Sequence, residues 1–246
     1  MRAMPGANDP LSRRRASWPR VLLFVVVAAG TAIVFRQGLL SPYFNPFGNI
    51  DLGRPQAWLI DWRLSALKRD QAQCRSSLVA PHIEATPVAD NPLREGCGWT
   101  NAVRVSKAGG VSAGFNPLTC EAAAALALWL EHEVQPLARS LLGQPVASLR
   151  SYGTYSCRNI VGNPMWKMLR SQHATANALD IAGFTLANGR SITVLGGWAG
   201  DGPEAQFLKR AHAAACRYFR VVIGPDYNAA HRDHFHLDRG PFTRCK

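Results

Sequence analysis

The strongest constraint in this sequence is a pair of histidine-containing polar stretches that lie far apart in the chain, at residues 171–180 and 231–238. Zinc in hydrolases is typically held by three protein ligands, drawn from imidazole and carboxylate groups, and a fourth position is left open for water. His173 and Asp180 from the first stretch and His236 from the second would supply such a set. The pattern therefore predicts a fold that joins the two stretches at one metal site.

The local pattern places two of these side chains on or beside a strand. Residues 178–185 form an apolar run typical of a buried strand, and the Asn188-Gly189 pair that follows predicts a hairpin. We expect His173 in the loop that enters this strand and Asp180 on the strand itself.

The second stretch predicts the remaining groups of a hydrolytic site. His234 and His236 are two residues apart, so on an extended segment their side chains point to the same face. One of them can bind metal while the other lies beside the open position. Asp233 lies three residues before His236, close enough to take a proton from the water, and we predict it as the general base.

The competing interpretation is a polar cluster at the strand ends, held together by internal hydrogen bonds. A single histidine is more often a surface or hydrogen-bonded residue than a ligand, and His212 and His231 are not predicted to bind metal. The order of the two stretches, with an acid three residues before the last histidine, favours the metal site.

These motifs also resemble those of known families. The pattern SxHxxxxAxD followed by DHFH is similar to the metal-site signature of the LAS peptidases, the zinc D-alanyl-D-alanine carboxypeptidases and peptidoglycan endopeptidases. Ala176 departs from that pattern, which usually has Gly at this position.

More closely, the chain from about residue 50 to residue 246 resembles the bacterial extensin-like C-terminal domain family. The resemblance is carried by the segments Tyr155-Ser-Cys-Arg158, Ser171-x-His173, Asn177-Ala-x-Asp180-Ile-Ala-Gly-Phe184 and Gly224-Pro-Asp-Tyr-Asn-Ala-Ala-His231-x-Asp-His-Phe-His236. The chain has no Ser-Pro-rich repeats, so a structural extensin role has no support.

The resemblance implies an LAS metallopeptidase core that binds Zn2+ and acts on peptidoglycan. It also implies that His234 stabilises the developing oxyanion or orients the substrate. Arg158 is a candidate for holding a substrate carboxylate or polarising the carbonyl, since a guanidinium suits a planar anion, and its alternative role is a structural salt bridge. We expect Ser171 to fix the loop by a hydrogen bond and Asp238 to support the site rather than bind the metal.

The N-terminal region predicts export. Residues 1–20 form a basic N-terminus, residues 21–36 an apolar membrane segment, residues 37–55 a linker rich in Pro, Gly and Asn, and residues 56–246 the folded domain. The apolar segment is either an uncleaved signal-anchor, which we favour, or a cleaved signal peptide. Both place the positive end in the cytoplasm and the domain in the periplasm, so we expect a single-pass protein of the inner membrane or a protein secreted to the periplasm.

The net charge of +12 is unevenly distributed along the chain. The first 36 residues contain six Arg and one Asp, which leaves 22 of the 28 basic and 15 of the 16 acidic residues for the rest. A basic domain outside the cell membrane suits an anionic wall polymer or a membrane surface. The sequence contains no aromatic-rich basic motif for base stacking, so we expect no nucleic-acid partner.

Short strands mixed with helices, and the central hairpin, favour an α+β fold with a small central antiparallel sheet and flanking helices. An Ala- and Leu-rich helix is predicted from Cys120 to Leu142, with Thr119 as its N-cap and Gly143 at its end. A second amphipathic helix is predicted from Pro203 to Phe219.

The six cysteines all follow the membrane segment, and an even set in an exported domain predicts disulfides. Proximity in the sequence suggests the pairs Cys74–Cys97, Cys120–Cys157 and Cys216–Cys245. A catalytic role for Cys157, with His173 and Asp180 downstream, is a minor alternative.

From location and resemblance we expect a membrane-anchored periplasmic zinc metallopeptidase that hydrolyses peptide bonds of peptidoglycan, as a DD- or LD-type endopeptidase or carboxypeptidase. One alternative is a non-catalytic cell-wall-binding or envelope-scaffold protein that retains a zinc site. Another is a zinc hydrolase acting on a different bond, such as an amide in a polysaccharide or a small dipeptide. Asp233 favours an enzyme, because a purely structural metal site does not need an acid beside its water.

Overall fold

The computed structural model describes residues 18–37, 48–55 and 59–246, and these belong to two compact units, Met1–Gly48 and Asn49–Lys246. The first unit contains helix α1 (Trp18–Arg36), whose side chains are largely exposed. This helix is long and apolar enough to cross a membrane, with a mean hydropathy of 2.0, a test that a signal sequence also passes. It contains the whole predicted segment 21–36. The predictions for residues 1–17 and 38–47 lie outside the described residues.

The second unit mixes helices and strands. Its helices are α2 (Ile60–Leu67), α3 (Gln71–Ser77), α4 (Cys120–Trp129), α5 (Gln135–Leu142), α6 (Val194–Gly197) and α7 (Pro203–Ala215). Its strands are β1 (Ile83–Pro87), β2 (Asn91–Arg94), β3 (Cys97–Trp99), β4 (Ala102–Ala108), β5 (Val111–Thr119), β6 (Val146–Gly153), β7 (Ala178–Leu186), β8 (Ser191–Thr193), β9 (Val221–Ile223), β10 (Phe235–Asp238) and β11 (Arg244–Cys245). The unit already begins at Asn49, within the segment that the sequence assigns to the linker, because Ile50 and Leu52 are buried in its core.

A nine-stranded sheet forms the centre of this unit. Its order is β1-β4-β5-β6-β7-β10-β9-β11, with β8 paired to β7, while β2 and β3 form a separate hairpin. The α+β class and the flanking helices are confirmed. The prediction of a small antiparallel sheet is wrong, because β5 pairs with β6 and β9 with β11 in parallel, and strands from residues 83–119 extend the sheet on one side.

The long helix predicted from Cys120 to Leu142 packs in the hydrophobic core. It consists of α4, a π-helical turn (Leu130–Val134) and α5, and Gly143 ends it with a positive φ of 70°. Every residue of α4 is buried, which its many alanines allow because small side chains permit close packing. Strand β7 is buried along nearly its whole length, so it lies in the interior of the second unit.

Three disulfides cross-link the domain, as expected for an exported protein, but two of the predicted pairs are wrong. The bonds are Cys74–Cys120, Cys97–Cys157 and Cys216–Cys245. Cys74 pairs with Cys120 because α3 lies against the start of α4. Cys97 pairs with Cys157 because the β2–β3 hairpin lies against the segment that follows β6. Cys157 is disulfide-bonded, so it does not act as a nucleophile.

A buried arginine joins three parts of the chain. Arg239, which follows β10, donates Nη1 to the Tyr218 carbonyl at 2.7 Å and Nη2 to the Ser65 hydroxyl at 3.0 Å. Its guanidinium also pairs with the buried Glu121 carboxylate of α4 at 3.4 Å and with Asp61 of α2 at 3.0 Å. Burial raises the pKa of Glu121 more than Arg239 and Lys68 lower it, so this carboxylate depends on its cationic partners.

We predict that Arg239→Ala lowers the free energy of unfolding by about 3–5 kcal/mol, because it leaves Glu121 buried without its main counter-charge. The loss should be smaller at pH 4 than at pH 7, since a protonated Glu121 does not need that charge. Denaturant unfolding of the disulfide-intact chain, followed by near-UV circular dichroism, measures the effect.

The matched control is Arg190→Ala, which removes an exposed ion pair with Glu204. This control should cost less than about 1 kcal/mol. Equal losses for the two variants would contradict the role assigned to Arg239.

Candidate metal centre

Strand pairing brings two of the predicted ligands together. In the antiparallel pair of β7 and β10, Asp180 lies directly opposite His236. Directly opposed residues project their side chains to the same face of the sheet. Residues on either side of them, such as Ile181 and Phe235, point to the other face, where they join the hydrophobic core.

The third predicted ligand lies in a short 3-10 turn (Gln172–Thr175) immediately before β7. The Ser171 hydroxyl accepts a hydrogen bond from the backbone N–H of His173 at 3.3 Å, which confirms its predicted role in the loop. The turn ends at Ala176, whose φ is +53°. This left-handed conformation favours glycine, and here it is adopted by an alanine.

The three side chains form a tight triangle of potential ligand atoms. His173 Nε2 lies 3.2 Å from Asp180 Oδ1 and 3.1 Å from His236 Nδ1, and His236 Nδ1 lies 3.0 Å from Asp180 Oδ1. All three residues are buried. Ligands at ~2.1 Å around a tetrahedral zinc ion lie ~3.4 Å apart, close to these separations.

The outer nitrogens of both histidines are fixed by acceptors. His173 Nδ1 lies 3.1 Å from the Thr154 carbonyl, and His236 Nε2 lies 3.0 Å from Asp238 Oδ2. Each outer nitrogen therefore donates its proton outward and leaves the inner lone pair facing the triangle. Two imidazole lone pairs and a carboxylate oxygen at such separations repel one another unless a proton or a metal ion lies between them. The donor set therefore fits a zinc ion.

The charged groups at the site make metal binding depend on pH. Burial alone lowers the pKa of His236, but the carboxylates of Asp180 and Asp238 outweigh burial and raise that pKa to about 9. Burial opposes ionisation of Asp180, but hydrogen bonds with His173 and His236 outweigh it and hold the pKa of this carboxyl far below its ordinary value. The metal-free site therefore keeps a proton on His236 at neutral pH.

Asp233 and His234 form a pair beside the triangle. Asp233 Oδ1 lies 2.9 Å from His234 Nδ1, while His234 Nε2 lies 3.7 Å from Asp180 Oδ1. Tyr152, at the end of β6, donates its hydroxyl to Asp233 Oδ2 at 3.2 Å, and its ring packs edge-on against His234. The His234 hydrogen bond, with help from Tyr152, lowers the pKa of Asp233. His234, rather than Asp233, therefore presents its free nitrogen to the ligand set.

His231 is a further imidazole at the site that sequence reasoning passed over. Its ring centroid lies 5.2 Å from that of His234 and 5.9 Å from that of His236, and Asn228 Oδ1 lies 2.7 Å from its Nδ1. Burial, reinforced by the neighbouring His236 and His234, lowers its pKa to about 4. His231 is therefore uncharged at neutral pH. The sequence signals that pointed to it are its position five residues before His236 and its place in the segment that resembles the extensin-like family.

Arg158 lies in the wall of a pocket that also includes His231 and His236. Its Nη1 makes a long hydrogen bond of 3.4 Å to the carbonyl of Asn159, and within the described residues it forms no ion pair. The alternative role for Arg158, a structural salt bridge, therefore finds no partner among the residues described.

The structure brings together all six residues predicted for the site: His173, Asp180 and His236 as ligands, with Asp233, His234 and Arg158 around them. The supporting position predicted for Asp238 is confirmed, since it holds His236 and also accepts the backbone N–H of Gly240. Sequence reasoning missed Tyr152 and the Thr154 carbonyl, because β6 joins the site only through its pairing with β7.

A match to a known protein family covers most of the second unit. The family model described as "Extensin-like protein C-terminus" matches residues 72–246, which include every residue of the site. No curated protein and no solved structure gives a significant match to the chain.

We predict that zinc binding releases about one proton at pH 7, because the metal must displace the proton held on His236. The apparent affinity should rise by about tenfold per pH unit between pH 6 and pH 8, and level off as pH approaches the His236 pKa of about 9. Chelator competition measures the affinity, and calorimetry in buffers of different ionisation enthalpy counts the protons. An affinity that is constant from pH 6 to pH 8 would contradict this coupling.

We also predict that Asp238→Asn weakens zinc affinity by about 10–100-fold while all three ligands remain, because His236 loses its anionic partner. Asp201→Asn is the matched control, since Asp201 is exposed and remote from the ligands in the chain, and it should leave the affinity unchanged. If the two variants bind zinc equally well, Asp238 does not support the ligand.

Proposed function

The chain belongs to the extensin-like protein C-terminus family, and we propose that it is a membrane-anchored periplasmic zinc metallopeptidase that hydrolyses peptide bonds of peptidoglycan. The observation that carries this proposal is the triangle of His173, Asp180 and His236 with the Asp233–His234 pair beside it. We further propose that the sheet around this triangle is an LAS-type metallopeptidase core.

The three ligands have the composition of a catalytic rather than a closed structural zinc site. Structural zinc sites usually have four protein ligands, often thiolates, whereas all six cysteines here are in disulfides. Zinc bound by this set would supply Lewis acidity to a water and to the scissile carbonyl. The rest of the chemistry falls to the side chains around the ligands.

His234 is the group best placed to move a proton. Its Nε2 faces the ligand set, where it can accept a proton from the attacking water and return it to the leaving amine. Asp233 was predicted as the base itself; its carboxylate instead binds Nδ1 of His234 and forms no ion pair with His173 or His236. Asp233 therefore orients the imidazole and stabilises its charged form, in the manner of the acid of a catalytic triad.

Arg158 supplies a cation on the pocket side of the site. It has no acidic partner within the described residues, so its charge is available to a substrate carbonyl or carboxylate. Arg158 and His234 are thus two groups near the ligand set that could stabilise charge developing on a carbonyl oxygen.

The substrate class follows from location and charge. Helix α1 is suited to hold the chain at a membrane, and three disulfides suit an oxidising exterior compartment. The chain after residue 36 has 22 basic and 15 acidic residues, and its net charge of +7 suits the anionic cell wall. A zinc peptidase placed there would encounter the stem peptides and cross-links of peptidoglycan.

The second candidate is a non-catalytic wall-binding or scaffold protein that keeps a zinc site. The observation that favours it is a group of exposed apolar side chains on the segment next to the site, namely Val161, Met165, Met168 and Leu169. Such a group is typical of a binding surface. The Asp233–His234 pair argues for the enzyme, since a scaffold does not need an oriented base.

We predict that Asp233→Ala lowers the rate of muropeptide release by about 10²–10⁴-fold while zinc content is retained, because the imidazole loses its orienting partner. The measurement uses the detergent-solubilised, disulfide-intact full chain loaded with zinc, incubated with purified peptidoglycan and analysed by chromatography. His173→Ala should lose both zinc and release.

Asp201→Ala is the control for this experiment and should keep full activity. Stoichiometric zinc with no release by the unmodified protein would instead support the wall-binding candidate, and a binding assay with insoluble peptidoglycan would then be expected to retain the protein. If Asp233→Ala releases muropeptides at the unmodified rate, Asp233 does not have the role in orienting His234 that is assigned to it.

A further inference from the structure

A pocket opens directly beside the metal centre, and the proposed mechanism uses only its edge. His236 and His231 form the end of the pocket nearest the ligands. The rest of its wall comes from two segments, residues 158–172 and residues 238–244, together with β9 and Tyr227. Any group that enters the pocket therefore lies next to the bond that would be cut.

The pocket has an excess of positive charge. Arg158, Arg170 and Arg244 all line it, and none of the three forms an ion pair with any residue in the described parts of the chain. Arg170 is held by the Glu95 carbonyl at 2.9 Å and Asn159 Oδ1 at 3.1 Å, and Arg244 lies over the Tyr227 ring at 5.9 Å. These contacts fix the guanidinium groups in place without neutralising them.

The single carboxylate in the pocket wall cannot balance these charges. Asp238 directs one oxygen to His236 Nε2 and accepts the Gly240 N–H with the other. Three cations therefore face one carboxylate that is already paired, and the pocket is suited to an anion.

The remaining walls are apolar. Trp166 and Phe242 stack with centroids 4.7 Å apart and planes 21° apart, and Ile160 and Ile223 also line the pocket. Guanidinium groups next to apolar walls suit a planar carboxylate carried on a short hydrocarbon group, because the guanidinium groups donate charged hydrogen bonds to the carboxylate while the walls pack against the hydrocarbon.

We propose that this pocket binds a substrate carboxylate next to the scissile bond, and that Arg244 and Arg170 determine the preference for substrates that carry one. The inference rests on the proposed peptidase function for the identity of its ligand. The carboxylate has two sources in a peptide, the C-terminus and an acidic side chain. A pocket that takes the C-terminal group makes the protein a carboxypeptidase.

The test compares three probes on the zinc-loaded full chain in detergent: N-acetyl-D-alanyl-D-alanine, its C-terminal amide, and the C-terminal amide of N-acetyl-D-alanyl-D-glutamate, in which only the side-chain carboxylate is free. Binding is measured by calorimetry, and cleavage by chromatography. We expect the free acid to bind at least about tenfold more tightly than the amide, and Arg244→Gln to abolish that difference. Tighter binding of the side-chain acid than of the C-terminal acid would assign the pocket to an acidic side chain.

Arg244 is a suitable position because its side chain is exposed and its backbone bonds in β11 survive substitution. Arg210→Gln, an exposed arginine on α7, is the matched control and should bind all three probes as the unmodified protein does. Zinc content should be equal in both variants.

The outcomes separate this inference from the proposed function. If the unmodified protein binds an acid probe and Arg244→Gln does not, the carboxylate pocket is supported, whether or not any probe is cut. If neither a probe nor a muropeptide is cut, that result counts against the peptidase function but not against the pocket. Cleavage that is the same for acid and amide, and the same in Arg244→Gln, would overturn the pocket and leave the peptidase in place. Equal binding of all three probes to both variants would also overturn it.

Discussion

The register between β7 and β10 is the constraint on which the site depends. Asp180 faces His236 across this pair, and their neighbours Ile181 and Phe235 face the core. A shift of one residue would exchange the two faces, moving a ligand into the hydrophobic interior and an apolar side chain into the metal site. The burial of Ile181 and Phe235 against the helices therefore stabilises the pairing of the ligands as well as the fold.

The loop that carries His173 is attached to the same core. The Thr119 N–H donates to the Ala176 carbonyl at 2.9 Å, and the Thr119 hydroxyl donates to Asn177 Oδ1 at 2.5 Å. Thr119 is at the N-cap position of α4, as the sequence predicts, but its hydroxyl binds this loop instead of capping the helix. The start of a fully buried helix is thus hydrogen-bonded to the loop that carries His173.

Local patterns in the sequence were sufficient to predict which three side chains form the triangle, the strand that carries Asp180, its hairpin and the long buried helix. Features that depend on long-range pairing were not predictable. The disulfide partners of Cys74 and Cys97, the strands that widen the sheet, and the contribution of Tyr152 each require knowledge of which distant segments are adjacent. For Asp233 the sequence predicted the position of the residue but not the direction of its carboxylate. Its distance in sequence from His236 was informative, but the direction of its carboxylate, toward His234, is set by the turn before β10.

The Cys97–Cys157 disulfide has a consequence for when the site matures in the cell. It joins the β2–β3 hairpin to the short segment that contains both the Thr154 carbonyl, which orients His173, and Arg158. In a reducing compartment the thiols stay apart, and this segment lacks its covalent attachment. Under the proposed export, a newly made chain in the cytoplasm would carry all three side chains of the triangle yet hold them less firmly than the oxidised protein. Oxidation would then act as a maturation step, linking full assembly of the site to arrival in the compartment where its proposed substrate is found.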